Sequence, residues 1–150
     1  MQKSMWIGMV LAIGLLMSGC GTSNSSSNIN GNWKASLTNT DGSPAYAFST
    51  TFTEASNGSV DITNFSFTSA GSCFSGDTTS ETGSFNLSGN FNGNVSGSFG
   101  MNISTAFPGA ATQNVLALQG TVAGRSIGGT WTLTGASGCS GHGTFNISKA

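Results

Sequence analysis

Apolar and polar residues alternate one by one along most of the chain from residue 31 onward. Trp33, Ala35 and Leu37, for example, are separated by single polar residues, and residues 127–133 repeat the pattern. A period of two is typical of half-buried antiparallel strands, whose successive side chains point to opposite faces of the sheet. The alternation predicts eight strands, at 31–39, 45–54, 59–69, 82–91, 94–104, 114–123, 126–135 and 142–149.

The predicted fold is an all-β, eight-stranded antiparallel up-and-down barrel. The links between the strands are mostly short, and closure of a sheet into a barrel removes its exposed edges. A phrase of Gly, spacer, aromatic, spacer and aliphatic residue recurs, as at 129–133, and suits an interior where large and small side chains alternate. A two-sheet β-sandwich is the alternative. A change of parity between Ile62 and Phe65 predicts a β-bulge near Thr63 and Asn64.

Successive links of such a barrel fall at alternate ends. The links after strands two, four and six contain Asn57-Gly58, Asn92-Gly93 and Gly124-Arg125, which are tight-turn sequences. The other four links are longer and cover 41–44, 70–81, 105–113 and 136–141. The sequence therefore predicts one end of tight turns and one end of long loops.

The first twenty residues have the features of an export signal. Lys3 supplies a positive charge, and an apolar run of about 13 residues follows it, which is shorter than the ~20 residues that cross a bilayer as a helix. This pattern predicts a helical signal peptide over 1–19. Met17-Ser18-Gly19-Cys20 resembles the lipobox of bacterial lipoproteins. The alternative is an ordinary secretory signal in which Cys20 is incidental.

The lipobox resemblance implies that Cys20 is acylated and becomes the first residue of the mature protein. Its acyl chains, palmitate among them, would make the membrane a partner of the protein, since stable anchoring needs more than one chain. By the same resemblance, Gly21 favours the outer membrane of the bacterial cell envelope. Segment 20–30 follows as a Ser- and Asn-rich flexible linker, whose ten residues after the cysteine reach roughly 17 Å, and 31–150 is the barrel domain.

Charge is scarce in this sequence. Lys and Arg number 4 and Asp and Glu number 5 among 150 residues, and the net charge is −1. This balance excludes a basic surface for nucleic acid. Together with the alternation, it indicates an exterior of Ser, Thr and Asn around an interior of aromatic residues and Gly.

Two cysteines, Cys73 and Cys139, lie downstream of the signal, and both fall in long loops at the same predicted end. In an exported chain this arrangement predicts a disulfide between them. The alternatives are two free thiols, or a metal pair for which His142 would be the only further ligand.

Gly31 and Trp33 match the Gly-x-Trp start that lipocalin-like barrels have, and avidin-like barrels share a similar opening. Either resemblance implies a small-molecule cavity at the long-loop end. Trp33, Trp131 and Phe99 are the candidate lining residues. In a barrel of this size the same side chains can fill the interior as core, which is the favoured interpretation.

No catalytic or metal-binding residue and no cofactor are predicted. His142 is the only His, and Ser140 stands two residues away, a spacing that rarely aligns a hydroxyl with an imidazole. Asp77 and Glu81 share one loop, where solvated carboxylates are expected rather than a catalytic pair. The protein is therefore not expected to be an enzyme.

Two functions remain as hypotheses. The first is a membrane-anchored envelope lipoprotein with a structural role, or with an envelope protein as its contact partner. The alternative is a lipocalin-like binding module for a small apolar or glycan ligand at the long-loop end.

Replacing Cys20 by Ser tests the anchor. We expect the variant to leave the membrane fraction of a bacterial host, because the thiol that carries the acyl chains is gone. Cell fractionation and immunoblotting beside the wild-type chain measure this. A membrane fraction equal to that of the wild type contradicts the lipobox interpretation.

Overall fold

The computed structural model describes residues 29–54, 60–75, 79–88, 96–105 and 112–150. Eight strands cover most of this part of the chain: β1 (Gly31–Asn39), β2 (Pro44–Glu54), β3 (Val60–Ser69), β4 (Thr79–Ser88), β5 (Ser96–Thr105), β6 (Val115–Ala123), β7 (Ser126–Thr134) and β8 (Gly141–Lys149). Within these ranges, no helix has the length and hydropathy needed to span a membrane.

The strands form one antiparallel sheet in the order β3-β2-β1-β8-β7-β6-β5-β4. The first and last strands pair with each other, from Trp33 opposite Lys149 to Asn39 opposite Gly143. The sheet curls into a nearly closed barrel, so the predicted all-β barrel is confirmed rather than the sandwich. We call the end where β1 begins the base, and the opposite end, where the described link residues 40–43, 70–75, 112–114 and 135–140 lie, the mouth.

The seam between β3 and β4 is the place where the barrel is not closed by a ladder. These two strands are the edges of the sheet, but their side chains meet across the gap. A Cβ atom built on Gly83 of β4 would lie 2.8 Å from Cδ1 of Ile62 in β3. The ring of Phe85 in β4 also lies 5.3 Å between centroids from that of Phe52 in β2, the strand next to β3. Side-chain packing therefore holds the barrel together at the seam, where no backbone ladder joins β3 to β4.

Irregularity of β3 explains the missing ladder. Ser49 pairs with Ser66 and Thr51 pairs with Thr63, so β3 has one extra residue at this point. Asn64 has a φ of 51°, which confirms the predicted bulge. A second shift of register lies nearer the mouth, between the partners of Ala47 and Phe48. Bulges bend a strand and increase its twist, which leaves β3 a poor template for further pairing.

The predicted strand bounds hold within two residues except at β4. This strand begins at Thr79, three residues before the expected position, and Glu81 lies in it rather than in a loop. Thr79 and Glu81 pair with Thr105 and Ile103 of β5. Thr79 and Glu81 are polar residues at inward positions, where a strand normally carries apolar side chains. The alternation of apolar and polar residues therefore does not mark the start of this strand.

One predicted tight turn lies within the described residues. Gly124 and Arg125 form the two-residue link between β6 and β7, and Gly124 has a φ of 62°. A positive φ at the first central position suits the type II′ hairpin turn, so this prediction is confirmed. The turns predicted at Asn57-Gly58 and at Asn92-Gly93, and positions Gly89 and Phe91 of the fourth predicted strand, lie outside the described residues.

Aromatic side chains fill much of the interior. Neighbouring ring centroids lie between 4.9 and 6.4 Å apart, in the range of favourable tilted and edge-to-face pairs. The contacts define a base cluster of Trp33, Phe52, Phe85, Phe99 and Phe145. They also define a mouth cluster of Tyr46, Phe48, Phe65, Phe67, Phe74 and Trp131.

Inward-facing glycines leave the room that these rings need. Gly120 and Gly129 are opposite each other on β6 and β7. A Cβ atom on Gly120 would lie 2.9 Å from Cζ of Phe145, and one on Gly129 would overlap the backbone of β6 at Gln119. The strands approach closely here because neither residue has a side chain.

Gly128 and Gly129 are neighbours on opposite faces of β7 and offer a matched pair of variants. We expect Gly129→Ala to lower the free energy of unfolding by about 3 kcal/mol, because its methyl group overlaps the neighbouring strand. A Cβ on Gly128 meets only a carbonyl oxygen at 3.7 Å, so we expect Gly128→Ala to stay within about 1 kcal/mol of the wild type. Urea denaturation measures both. Equal losses in the two variants would contradict the close approach.

Candidate functional site

The base of the barrel is closed by the chain that leads into β1. Ile29 is buried, and its carbonyl oxygen accepts a hydrogen bond of 2.8 Å from Nε1 of Trp33. The Nζ atom of Lys149 lies 6.0 Å from the centroid of the Trp33 ring. The amide of Ala150 donates to the carbonyl of Asn32 at 2.8 Å. Both described ends of the chain therefore lie together at the base.

A disulfide joins Cys73 to Cys139 at the mouth, as predicted, with 5.7 Å between the Cα atoms. This bond excludes the two alternatives for these residues, namely a pair of free thiols and a pair of thiolates that bind a metal. Cys73 is in the link that borders the seam, whereas Cys139 is in the link between β7 and β8, on the opposite wall. The bond therefore crosses the mouth from one side to the other.

Asn114 ties the same loops together by hydrogen bonds. Its Nδ2 donates to the carbonyl of Cys73 at 2.8 Å, and its Oδ1 accepts from the amide of Ala136 at 2.9 Å. Its backbone amide donates to Oγ1 of Thr105 at 3.0 Å. One side chain thus connects three of the four links at the mouth.

Phe74 inserts below these loops into the interior. It is 2% exposed, its ring stacks on Phe67 with 5.0 Å between centroids, and it meets Tyr46 edge-on at 5.9 Å. Burial raises the pKa of the Tyr46 phenol and favours its neutral form. We call the disulfide, Asn114 and Phe74 the mouth cap.

The three candidate cavity residues are all buried and belong to two different aromatic clusters. Trp33 and Phe99 both contact Phe52, at 5.7 and 6.3 Å, in the base cluster. Trp131 lies in the mouth cluster, edge-on to Tyr46 at 5.6 Å. Each of the three rings therefore packs against other aromatic side chains.

The described residues that were considered for catalysis or metal binding lie in different parts of the barrel. His142 lies on the outer face of β8, and Ser140 is in the link before it, with both residues exposed. Asp77 lies outside the described residues, as does Cys20. Glu81 faces the interior, and its Oε1 atom is buried without a hydrogen-bond partner. The described ranges hold no group of three or more His, Cys, Asp and Glu residues placed to bind a metal ion.

A groove of about 560 Å³ lies at the mouth end of the barrel wall, where β1, β8 and β7 are adjacent. We call it the wall groove, and its lining is Thr38, Asn39, Thr40, Gly42, Thr130, Trp131, Thr132, His142, Gly143 and Thr144. Two smaller depressions, of about 430 and 250 Å³, lie near Asn32 and near Gly100.

The sequence alone did not single out Phe74, Asn114 or the wall groove. Phe74 directly follows Cys73 in the sequence. An aromatic residue next to a cysteine in a loop could have indicated a side chain that packs into the mouth. Asn114 has no such signal, because its partners are Cys73 and Ala136, which are far from it in sequence.

Comparison of the chain with protein-family models, curated proteins and solved structures finds no match.

The double variant Cys73→Ala and Cys139→Ala tests how far the mouth cap depends on its covalent part. The bond closes a loop with a sequence separation of 66 residues, so its loss should lower the free energy of unfolding by about 4 kcal/mol. Urea denaturation of the variant and of the reduced wild-type chain should give the same loss. An unchanged denaturation midpoint would show that the noncovalent contacts hold the cap.

Proposed function

We propose that the protein is a membrane-anchored lipoprotein of the bacterial cell envelope, with a non-enzymatic structural or protein-contact role. The observation that carries the structural role is the aromatic packing that extends through the barrel from the base to the mouth. Trp33 is fully buried at the base, and Phe74 is 2% exposed at the mouth. Such an interior contributes stability rather than a site.

The mouth cap opposes binding inside the barrel. A ligand that entered from the mouth would have to displace Phe74 from Phe67 and Tyr46. The Cys73–Cys139 bond and Asn114 restrain the loops that would move. Each lost ring contact and each broken hydrogen bond makes the free energy of binding less favourable. An interior ligand would have to offset this loss with its own contacts to the protein.

The geometry also suits an anchor at the base. The chain enters the barrel at Ile29, nine residues after Cys20. An acylated Cys20 would hold the base toward the membrane, and the mouth loops would face away from it. Lipid attachment and display of the mouth are then compatible without any change in the barrel.

Native mass spectrometry of the full-length chain, purified in a sugar-free detergent, tests the closed interior. We expect the mass of the oxidised, acylated protein after detergent removal, with no further small molecule. The same sample in denaturing solvent is the control, because it reveals the covalent mass alone. A bound apolar molecule that denaturation releases would contradict the proposal and favour a binding module.

The experiment tests the lipid anchor and the closed interior independently of each other. A covalent mass without acyl groups would overturn the lipoprotein assignment, whatever the interior holds. A released apolar molecule of low mass would overturn the closed interior, whatever Cys20 carries.

A further inference from the structure

The wall groove is built from side chains that point away from the interior. Thr38 on β1, Thr144 on β8 and Thr130 on β7 are directly opposite one another in successive ladders. One step toward the mouth, His142 is opposite Thr132. Neighbouring strands are ~4.8 Å apart, so these polar groups form two short rows on one patch of the wall.

Hydrogen bonding within the groove divides its side chains into two kinds. Oγ1 of Thr38 and Oγ1 of Thr144 lie 3.0 Å apart and bond to each other. Within the described ranges, no protein partner is found for the side chains of Thr130, Thr132 and His142. All three are exposed, so their donors and acceptors are available to a ligand.

One wall of the groove is a turn that is already ordered. In the 40–43 link, Oδ1 of Asp41 accepts from the amide of Ser43 at 2.9 Å and from its hydroxyl at 2.6 Å. These hydrogen bonds lower the pKa of Asp41. The amide of Asn39 donates to the carbonyl of Ser43 at 2.8 Å. A site with a fixed wall avoids part of the entropy cost of binding.

The floor of the groove is also fixed. Trp131 reaches below β8 at Gly143, and its Nε1 donates to the carbonyl oxygen of Thr38 at 2.9 Å. A Cβ atom on Gly143 would overlap this oxygen and lie 2.8 Å from Nε1. Gly143 is therefore required for the indole to pass, and the indole supports the floor from the interior side.

The lining determines which ligand chemistry fits. It contains no Lys, Arg, Asp or Glu, and the Asp41 carboxylate of the adjoining turn already accepts hydrogen bonds from Ser43, so the lining itself offers no charge to pair with a charged ligand. A purely apolar ligand would remove water from the free hydroxyls of Thr130 and Thr132 without replacing their hydrogen bonds, which is unfavourable. A neutral sugar has hydroxyl groups for these partners and C–H faces for the threonine methyl groups.

We propose that the wall groove is a binding site for a neutral carbohydrate. Its volume of about 560 Å³ is within the ~300–1,000 Å³ range of small-molecule sites. The site lies on the outer wall, so it goes beyond the proposed structural role, and it needs neither an opening of the mouth cap nor the acylation of Cys20.

The test is an NMR titration of the full-length protein in a zwitterionic detergent without a sugar headgroup. His142 is the only His in the chain, so its imidazole C–H signals report on the groove without overlap from another His. The probes are maltotriose, laminaritriose and triacetylchitotriose, each up to about 20 mM, where a site of millimolar Kd is mostly occupied. We expect at least one of them to shift the His142 signals with saturation.

Conservative variants locate the contact. Thr130→Val and Thr132→Val keep the shape and the methyl group but remove the hydroxyl, and each should weaken binding about fivefold. Thr121→Val is the matched control, because Thr121 is an exposed threonine on β6 outside the groove lining, and its affinity should equal that of the wild type.

Three results overturn the proposal. The first is an unchanged His142 signal with all three sugars. The second is equal weakening by Thr121→Val and by the groove variants. The third is a tighter response of His142 to laurate than to any of the sugars, which would identify an apolar site instead.

Discussion

Packing of aromatic rings over inward glycines is the interaction on which the rest of this structure depends. A chain with so few charged residues has few ion pairs available to hold it together. The rings of the base and mouth clusters occupy the interior, and the strands can close around them only where Gly120, Gly129 and Gly143 leave space. The same Gly143 permits the Trp131 indole to reach Thr38. Interior packing and the shape of the outer wall are thus set by the same residues.

Local alternation was sufficient to predict most of the fold, because a period of two identifies a half-buried strand wherever it occurs. It gave the eight strands, the bulge at Asn64 and, through the order of the links, the disulfide. It missed the start of β4, since Thr79 and Glu81 put polar side chains at inward positions. It also missed the unpaired seam, because pairing between β3 and β4 depends on the twist of both strands and not on the pattern of either.

The candidate site was less predictable than the fold, because it depends on contacts between residues that are distant in sequence. Sequence reasoning identified Trp33, Trp131 and Phe99 as aromatic and inward, but whether such rings line or fill a space depends on their neighbours in three dimensions. Phe74 and Asn114 decide this at the mouth, and both act through partners on other loops. The wall groove likewise arises from three strands whose outward residues look like ordinary solvated threonines when each strand is considered alone.

The pairing of the first strand with the last has a consequence for how this protein folds. Thr38 and Thr144 are 106 residues apart in sequence, whereas the other ladders join consecutive strands. Contacts of such separation form slowly, since a long loop must be closed before they contribute any stability. The strands from β1 to β3 and those from β4 to β8 can each assemble as a local meander. During synthesis β1 then keeps one edge unpaired until β8 is complete, and the barrel forms in a single late closing step.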